Sequence, residues 1–267
     1  MEHSMTLVVF TILSQLAIGA FMAFFILDAI KQKVSKKTSL ITLGIIIAIS
    51  IVAVIVSVFH LGHPFAAYRA ILNLGQSWLT REILFFPGFI LFVILYTFFA
   101  KTKGSKQILG TITSLLGAVT IFCTAMIYTI PSMPAWNNGT TMAAFFVTAL
   151  LLGPVLVQML VSVLDGKYVD FTAYTLGAAV VAILLNVINL TILKGGFPEA
   201  VETFTLLTAS PLFWVKLVLI VVGCGIALIG LMNRKYKSTP LVAVILGCFF
   251  IAEFVGRMLF YSTGVHL

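Results

Sequence analysis

Long apolar runs separated by short charged connectors set the pattern of this chain from end to end. A hydrocarbon core of about 30 Å is crossed by about 20 consecutive apolar residues in helical form. Eight windows reach that length: 5–30, 39–59, 79–100, 108–130, 141–164, 171–193, 211–232 and 240–262. The pattern predicts an all-α polytopic membrane protein, a bundle of eight transmembrane helices, with 1–267 forming a single integral membrane domain. No connection is long enough to hold a soluble domain. The first run begins at Met5 behind only Glu2 and His3, is too long for a signal-peptide core and has no small-residue cleavage site, so it reads as a retained helix.

Composition agrees with the pattern. Hydrophobic residues make up 61% of the chain and charged residues 9%, with a mean hydropathy of +1.18, whereas soluble domains carry about 25% charged residues. The few charges are unevenly placed. The connectors "KQKVSKK", "KTKGSK", "DGKYVD" and "NRKYKS" follow the first, third, fifth and seventh runs and hold 11 of the 16 Lys and Arg. Positive connectors stay cytoplasmic, so both termini are expected outside, which is consistent with an even number of spans. The net charge of +8 is thereby a topology signal and implies no nucleic-acid partner. Trp78, Trp136 and Trp214 all fall at outer helix ends, where they read as an interfacial belt or as the lining of a site.

Cys123, Cys224 and Cys248 lie in separate spans without Cys-x-x-Cys spacing and read as apolar filler. An iron–sulfur cluster wants four thiolates, so this protein is expected to hold none. His60 and His63 share one short stretch, and His3 and His266 are terminal. That distribution disfavours a haem held between facing helices, and no metal-ligand spacing is evident.

Ionisable groups within spans are costly and usually functional. His60, His63, Arg69, Arg81, Glu82, Asn186, Asn189, Lys216, Glu253 and Arg257 come from several segments yet occupy one slab in the outer half of the membrane, where they are expected to converge on a polar pocket. Bland readings stand beside this one. Glu253 and Arg257 are four apart and can pair along one helix face, and Arg81 can snorkel to the interface. Imidazole titrates near neutral pH, so His60 beside Glu82 suits proton transfer to the outer water. The cytoplasmic half offers little beyond Gln158 and Asp28, and there is no evident internal repeat. Both features count against a transporter or channel.

Three stretches carry a resemblance. "HLGHPFAAYRAILNLGQSWLTREI" (60–83), "YTIPSMPAW" (128–136) with the Gly-Pro of 153–154, and "IAEFVGRMLFY" (251–261) resemble the membrane-anchor subunit of the dimethyl sulfoxide reductase family, DmsC-type, over nearly the whole chain. Thr80 stands where that pattern commonly has Ser. The resemblance implies a haem-free anchor in the bacterial inner membrane that binds and oxidises menaquinol near the outer face. It also implies an iron–sulfur subunit docked outside, which feeds a molybdopterin catalytic subunit in anaerobic respiration. His60 and Glu82 match positions linked to quinol binding and proton release, and are the expected catalytic pair. Glu253 and Arg257 match the closing motif by placement. With Arg81 and Asn186 from the outer slab, these residues are the expected quinol-binding set. A cytochrome b-like anchor is the alternative that a haem spectrum would reveal.

Overall fold

The computed structural model describes residues 2–30, 34–60, 75–166, 169–232 and 238–267. Nine α-helices appear among them: α1 (Glu2–Ala29), α2 (Lys36–His60), α3 (Trp78–Phe99), α4 (Lys103–Tyr128), α5 (Gly139–Asp165), α6 (Thr172–Lys194), α7 (Pro198–Ala209), α8 (Pro211–Met232) and α9 (Thr239–Thr263). All except α7 are long and apolar enough to cross a membrane. The eight expected spans are therefore present, in an all-helical architecture without strands among the described residues.

Helix boundaries fall within five residues of the apolar windows, and the largest departure and the one helix without a window have local reasons. Helix α4 begins at Lys103 because Thr102 and Ser105 form a reciprocal capping box there, which starts a helix one turn before its apolar run. Helix α7 escapes a search for long apolar runs because it is a 12-residue segment carrying Glu199 and Glu202. Pro198 at its start and Glu199 in its first turn suit a helix N-terminus.

The bundle is organised around α1 and α5, whose apolar windows are 78% and 72% buried, whereas those of the other spans reach at most 44%. Lipid tails are as apolar as leucine, so helices in a bilayer associate through close packing rather than through apolar burial. Gly19 of α1 and Gly153 of α5 supply that closeness. A Cβ on Gly153 would stand 2.1 Å from the Gly19 carbonyl carbon, and one on Gly19 would stand 2.0 Å from the Ala149 carbonyl oxygen. Pro154 follows at once, inside a helix whose neighbours tolerate it.

Polar clasps close both ends. At the end away from the termini, Asp28 of α1 accepts from Tyr96 of α3 and pairs with Lys106 of α4 at 2.8 Å. Asp165, at the end of α5, accepts from the Ser35 amide at 2.7 Å and the Thr38 hydroxyl at 2.6 Å, and so fixes the start of α2. At the termini-bearing end, the Trp136 indole donates to the Phe260 carbonyl at 3.0 Å, and the Leu267 amide donates to the Ser132 carbonyl at 3.0 Å.

Candidate functional site

The polar residues of the termini-bearing half form a buried seam that crosses the bundle from α3 to α8. It starts at Glu82, one turn into α3, which is 6% exposed and accepts a hydrogen bond from the Thr124 hydroxyl of α4. Tyr128, one turn further along α4, meets Tyr261 of α9 at 5.3 Å between ring centres. Both tyrosines lie within electrostatic reach of Glu82 on one side and of Arg257 on the other. Trp136, Phe145 and Phe260 pack around Tyr128, so an aromatic wall stands in the middle of the seam.

Beyond that wall lies Arg257, 6% exposed. Its Nη2 donates to Gln15 Oε1 of α1 at 3.0 Å and lies 3.4 Å from the Thr148 hydroxyl of α5, while the guanidinium rests 3.7 Å from the Phe145 ring centre. Thr148 in turn donates to Glu253 Oε2 at 2.6 Å. The i, i+4 pairing open to Glu253 and Arg257 is not formed: the one ion pair among the described residues is Lys106–Asp28. Thr148 stands between the acid and the base instead.

The seam ends in a cavity between α5, α6, α8 and α9. Lys216 of α8 donates to Asn186 Oδ1 at 2.9 Å, and the Asn186 amide group donates to the Ala182 carbonyl at 2.7 Å. Opposite, the Thr140 hydroxyl lies 2.7 Å from Asn189 Oδ1. With Glu253, Arg257 and the aromatic face of Trp136, Phe145 and Phe260, these groups enclose a space of about 120 Å³. A single water needs about 10–15 Å³ by the same measure, so the cavity admits something much larger. Gly256 has a specific task here. Lys216 lies across it, and a Cβ at that position would stand 2.9 Å from the Lys216 Cε and Nζ.

The structure thus brings together three of the candidates, Asn186, Glu253 and Arg257, and adds Asn189 and Lys216 from the same slab. Glu82 belongs to the far end of the seam and does not line this cavity. Arg81 folds back to donate to the Gly75 carbonyl at 2.8 Å and lies 4.1 Å over the Trp78 ring, the geometry of an interfacial side chain. His60 closes α2, but its side chain lies outside the described residues, as do His63 and Arg69 entirely. Sequence reasoning passed over Gln15, Thr124, Tyr128, Thr148 and Tyr261. Gln15 left a legible signal as a lone amide deep in an apolar run, whereas threonine and tyrosine are too common in spans to stand out. Among the described residues, no three His, Cys, Asp or Glu side chains gather as a metal-ligand set.

A polytopic helical bundle with an aromatic-walled cavity lined by Lys216, Glu253 and Arg257 at its termini-bearing end defines an integral membrane protein. Sequence comparison identifies the family. The profile described as "DMSO reductase anchor subunit (DmsC)" matches residues 1–263, and the protein belongs to that family. It is 31% identical to the anaerobic dimethyl sulfoxide reductase protein YnfH of Escherichia coli (strain K12), over 99% of its own length and 95% of that relative. It is 26% identical to the C subunit of the anaerobic dimethyl sulfoxide reductase of Haemophilus influenzae, again over 99% of its own length and 95% of the relative. It is accordingly a membrane anchor subunit of an oxidoreductase complex, whose other subunits supply catalysis and electron transfer.

Proposed function

We propose that this anchor oxidises menaquinol at its termini-bearing end, which faces outward from the bacterial cytoplasmic membrane. Electrons then pass to an iron–sulfur subunit docked there, and from it to a molybdopterin catalytic subunit. The observation that carries this reading is the cavity walled by Asn186, Lys216, Glu253 and Arg257, in which charged, amide and threonine hydroxyl groups face an apolar and aromatic wall. A ring with one oxygen at each edge suits such a space, because flat apolar faces meet Trp136, Phe145 and Phe260 while the oxygens meet polar groups.

Oxidising a quinol releases two electrons and two protons. Lys216, held by Asn186, is placed to donate to one ring oxygen. Glu253, oriented by Thr148, is placed to accept a proton within the cavity. Glu82 is the second acceptor, at the far end of the seam, and receives its proton by relay through the Tyr128 and Tyr261 hydroxyls that stand between it and the cavity. The anchor itself carries no redox centre in this reading, so electrons leave directly for the partner. Transport across the bilayer is the poorer account, because the polar groups of the other half are engaged: Asp28 pairs with Lys106, and Gln158 accepts from the Phe171 amide at 3.1 Å.

Lys216→Met tests the placement. A hydrogen bond to a charged group contributes about 1.5–3 kcal/mol, so quinol affinity is expected to fall by about 10–100-fold. Reduction of the terminal acceptor from artificial donors should not change. Gly256→Ala is expected to reproduce the defect more mildly, since its methyl group displaces the Lys216 ammonium and leaves the helix intact. Unaltered quinol affinity in the Lys216→Met complex would remove the ring from this cavity.

A further inference from the structure

Gln15 occupies the middle of α1, and its presence there has no packing explanation. It is 1% exposed, and its amide nitrogen has no hydrogen-bond partner among the described residues. Burying an unmet donor is destabilising, and an apolar side chain of similar length would avoid that cost. What the glutamine does is accept from Arg257 Nη2 at 3.0 Å.

The remaining groups that hold the guanidinium are also neutral: the Thr148 hydroxyl at 3.4 Å and the face of Phe145 at 3.7 Å. The ionisable groups around it are Tyr128, Tyr261, Glu253 and Lys216, and among the described residues no carboxylate lies within 4 Å. Glu253, which shares the cavity wall, is turned to Thr148. A glutamate at position 15 would meet the guanidinium as a charge-assisted pair and would also cancel its charge. A glutamine aims the guanidinium without cancelling it.

We propose that Gln15 is a positioning residue for quinol oxidation. It fixes Arg257 at the cavity wall as a cation with no carboxylate in contact, so that the charge stabilises the negative charge growing on a ring oxygen as its proton leaves. This rests on the placement of the quinol in the cavity. In the step concerned, one ring O–H bond breaks, a new O–H bond forms on the Glu253 carboxylate, and one electron passes to the iron–sulfur centre of the docked partner; the second proton and second electron leave in a following step. A fixed cation in a site screened from water, aimed where charge develops, needs no reorganisation at the moment of reaction.

The test compares Gln15→Glu with Gln15→Met in the assembled complex. Three quantities are read: turnover with a soluble naphthoquinol, binding of a non-oxidisable quinol analogue, and turnover with an artificial donor. Gln15→Glu is expected to keep analogue affinity and artificial-donor turnover while lowering kcat with quinol by about tenfold or more, since removing one preorganised group typically costs about 100–1,000-fold. Gln15→Met keeps the cation but loses its aim, and should be the milder variant. A purely structural glutamine predicts the reverse order, because glutamate would hold Arg257 more firmly. Normal quinol turnover in Gln15→Glu, or a worse defect in Gln15→Met, overturns the proposal. If Gln15→Glu does not assemble, Gln15→Met decides alone: lowered kcat with quinol at unchanged analogue affinity and artificial-donor rate upholds the proposal, and wild-type quinol turnover or a loss of analogue affinity overturns it. Failure of the underlying placement is recognised separately, as a Lys216→Met complex with unaltered quinol affinity, and the proposal falls with it.

Discussion

Glu82→Gln is expected to give a complex that assembles normally and accepts electrons from artificial donors, yet turns over quinol about 100-fold or more slowly, the scale set by loss of a proton acceptor. The substitution keeps the shape of the side chain and its capacity to accept from the Thr124 hydroxyl, so packing is not the variable. What disappears is a group able to receive a proton. Among the described residues Glu82 has no cation within 4 Å, and a carboxylate buried without a paired charge is an expensive feature to retain for structure alone. Membranes containing the variant complex, assayed in parallel with a quinol and an artificial donor, give the measurement. Equal quinol turnover in variant and wild type would take Glu82 out of the mechanism.

The second large effect is on the fold. Gly153→Leu is expected to abolish accumulation of the complex in membranes, and Gly153→Ala to lower its thermal stability. Even a methyl group at Gly153 meets backbone of α1 at 2.1 Å, and backbone cannot swing aside as a side-chain tip can. Overpacking of this kind costs about 1–3 kcal/mol or more. The damage extends to the site, since α1 carries Gln15 and α5 carries Thr148 and Phe145, and these hold Arg257 together. Gly88→Ala in α3 is the matched control, because a Cβ there has nothing within 4 Å. Wild-type amounts of the Gly153→Leu complex would show that α1 and α5 do not need this contact.

Much of the fold was legible because crossing a bilayer is a local requirement. Each span must be apolar for about 20 residues whatever its neighbours are, so counting residues finds Pro211–Met232 as readily as it finds Met5–Ala29. Helix α7 was not legible in that way, because a short helix lying between α6 and α8 has no length to satisfy. The gathering of polar residues at one end was equally readable, since depth follows from position along a helix at about 1.5 Å per residue.

The grouping within that slab was not readable. Glu82 and Glu253 lie at comparable depth, yet one packs against Thr124 in a dense core and the other lines a cavity across an aromatic wall. Depth fixes one coordinate of a side chain, and the direction in which it leaves its helix fixes the rest. In a soluble bundle an apolar stripe would supply that direction. Here lipid and protein interior are alike apolar, so no stripe marks which face turns inward.

By itself, then, the sequence determined how many helices are long and apolar enough to cross the membrane, where they lie to within a few residues, and which end holds most of the charged groups within spans, because all of these depend on solvation of each segment alone. Tertiary structure decided which polar groups meet. Gln15 and Arg257 are 242 positions apart, and they meet in a bundle where two glycines let α1 and α5 approach to backbone contact.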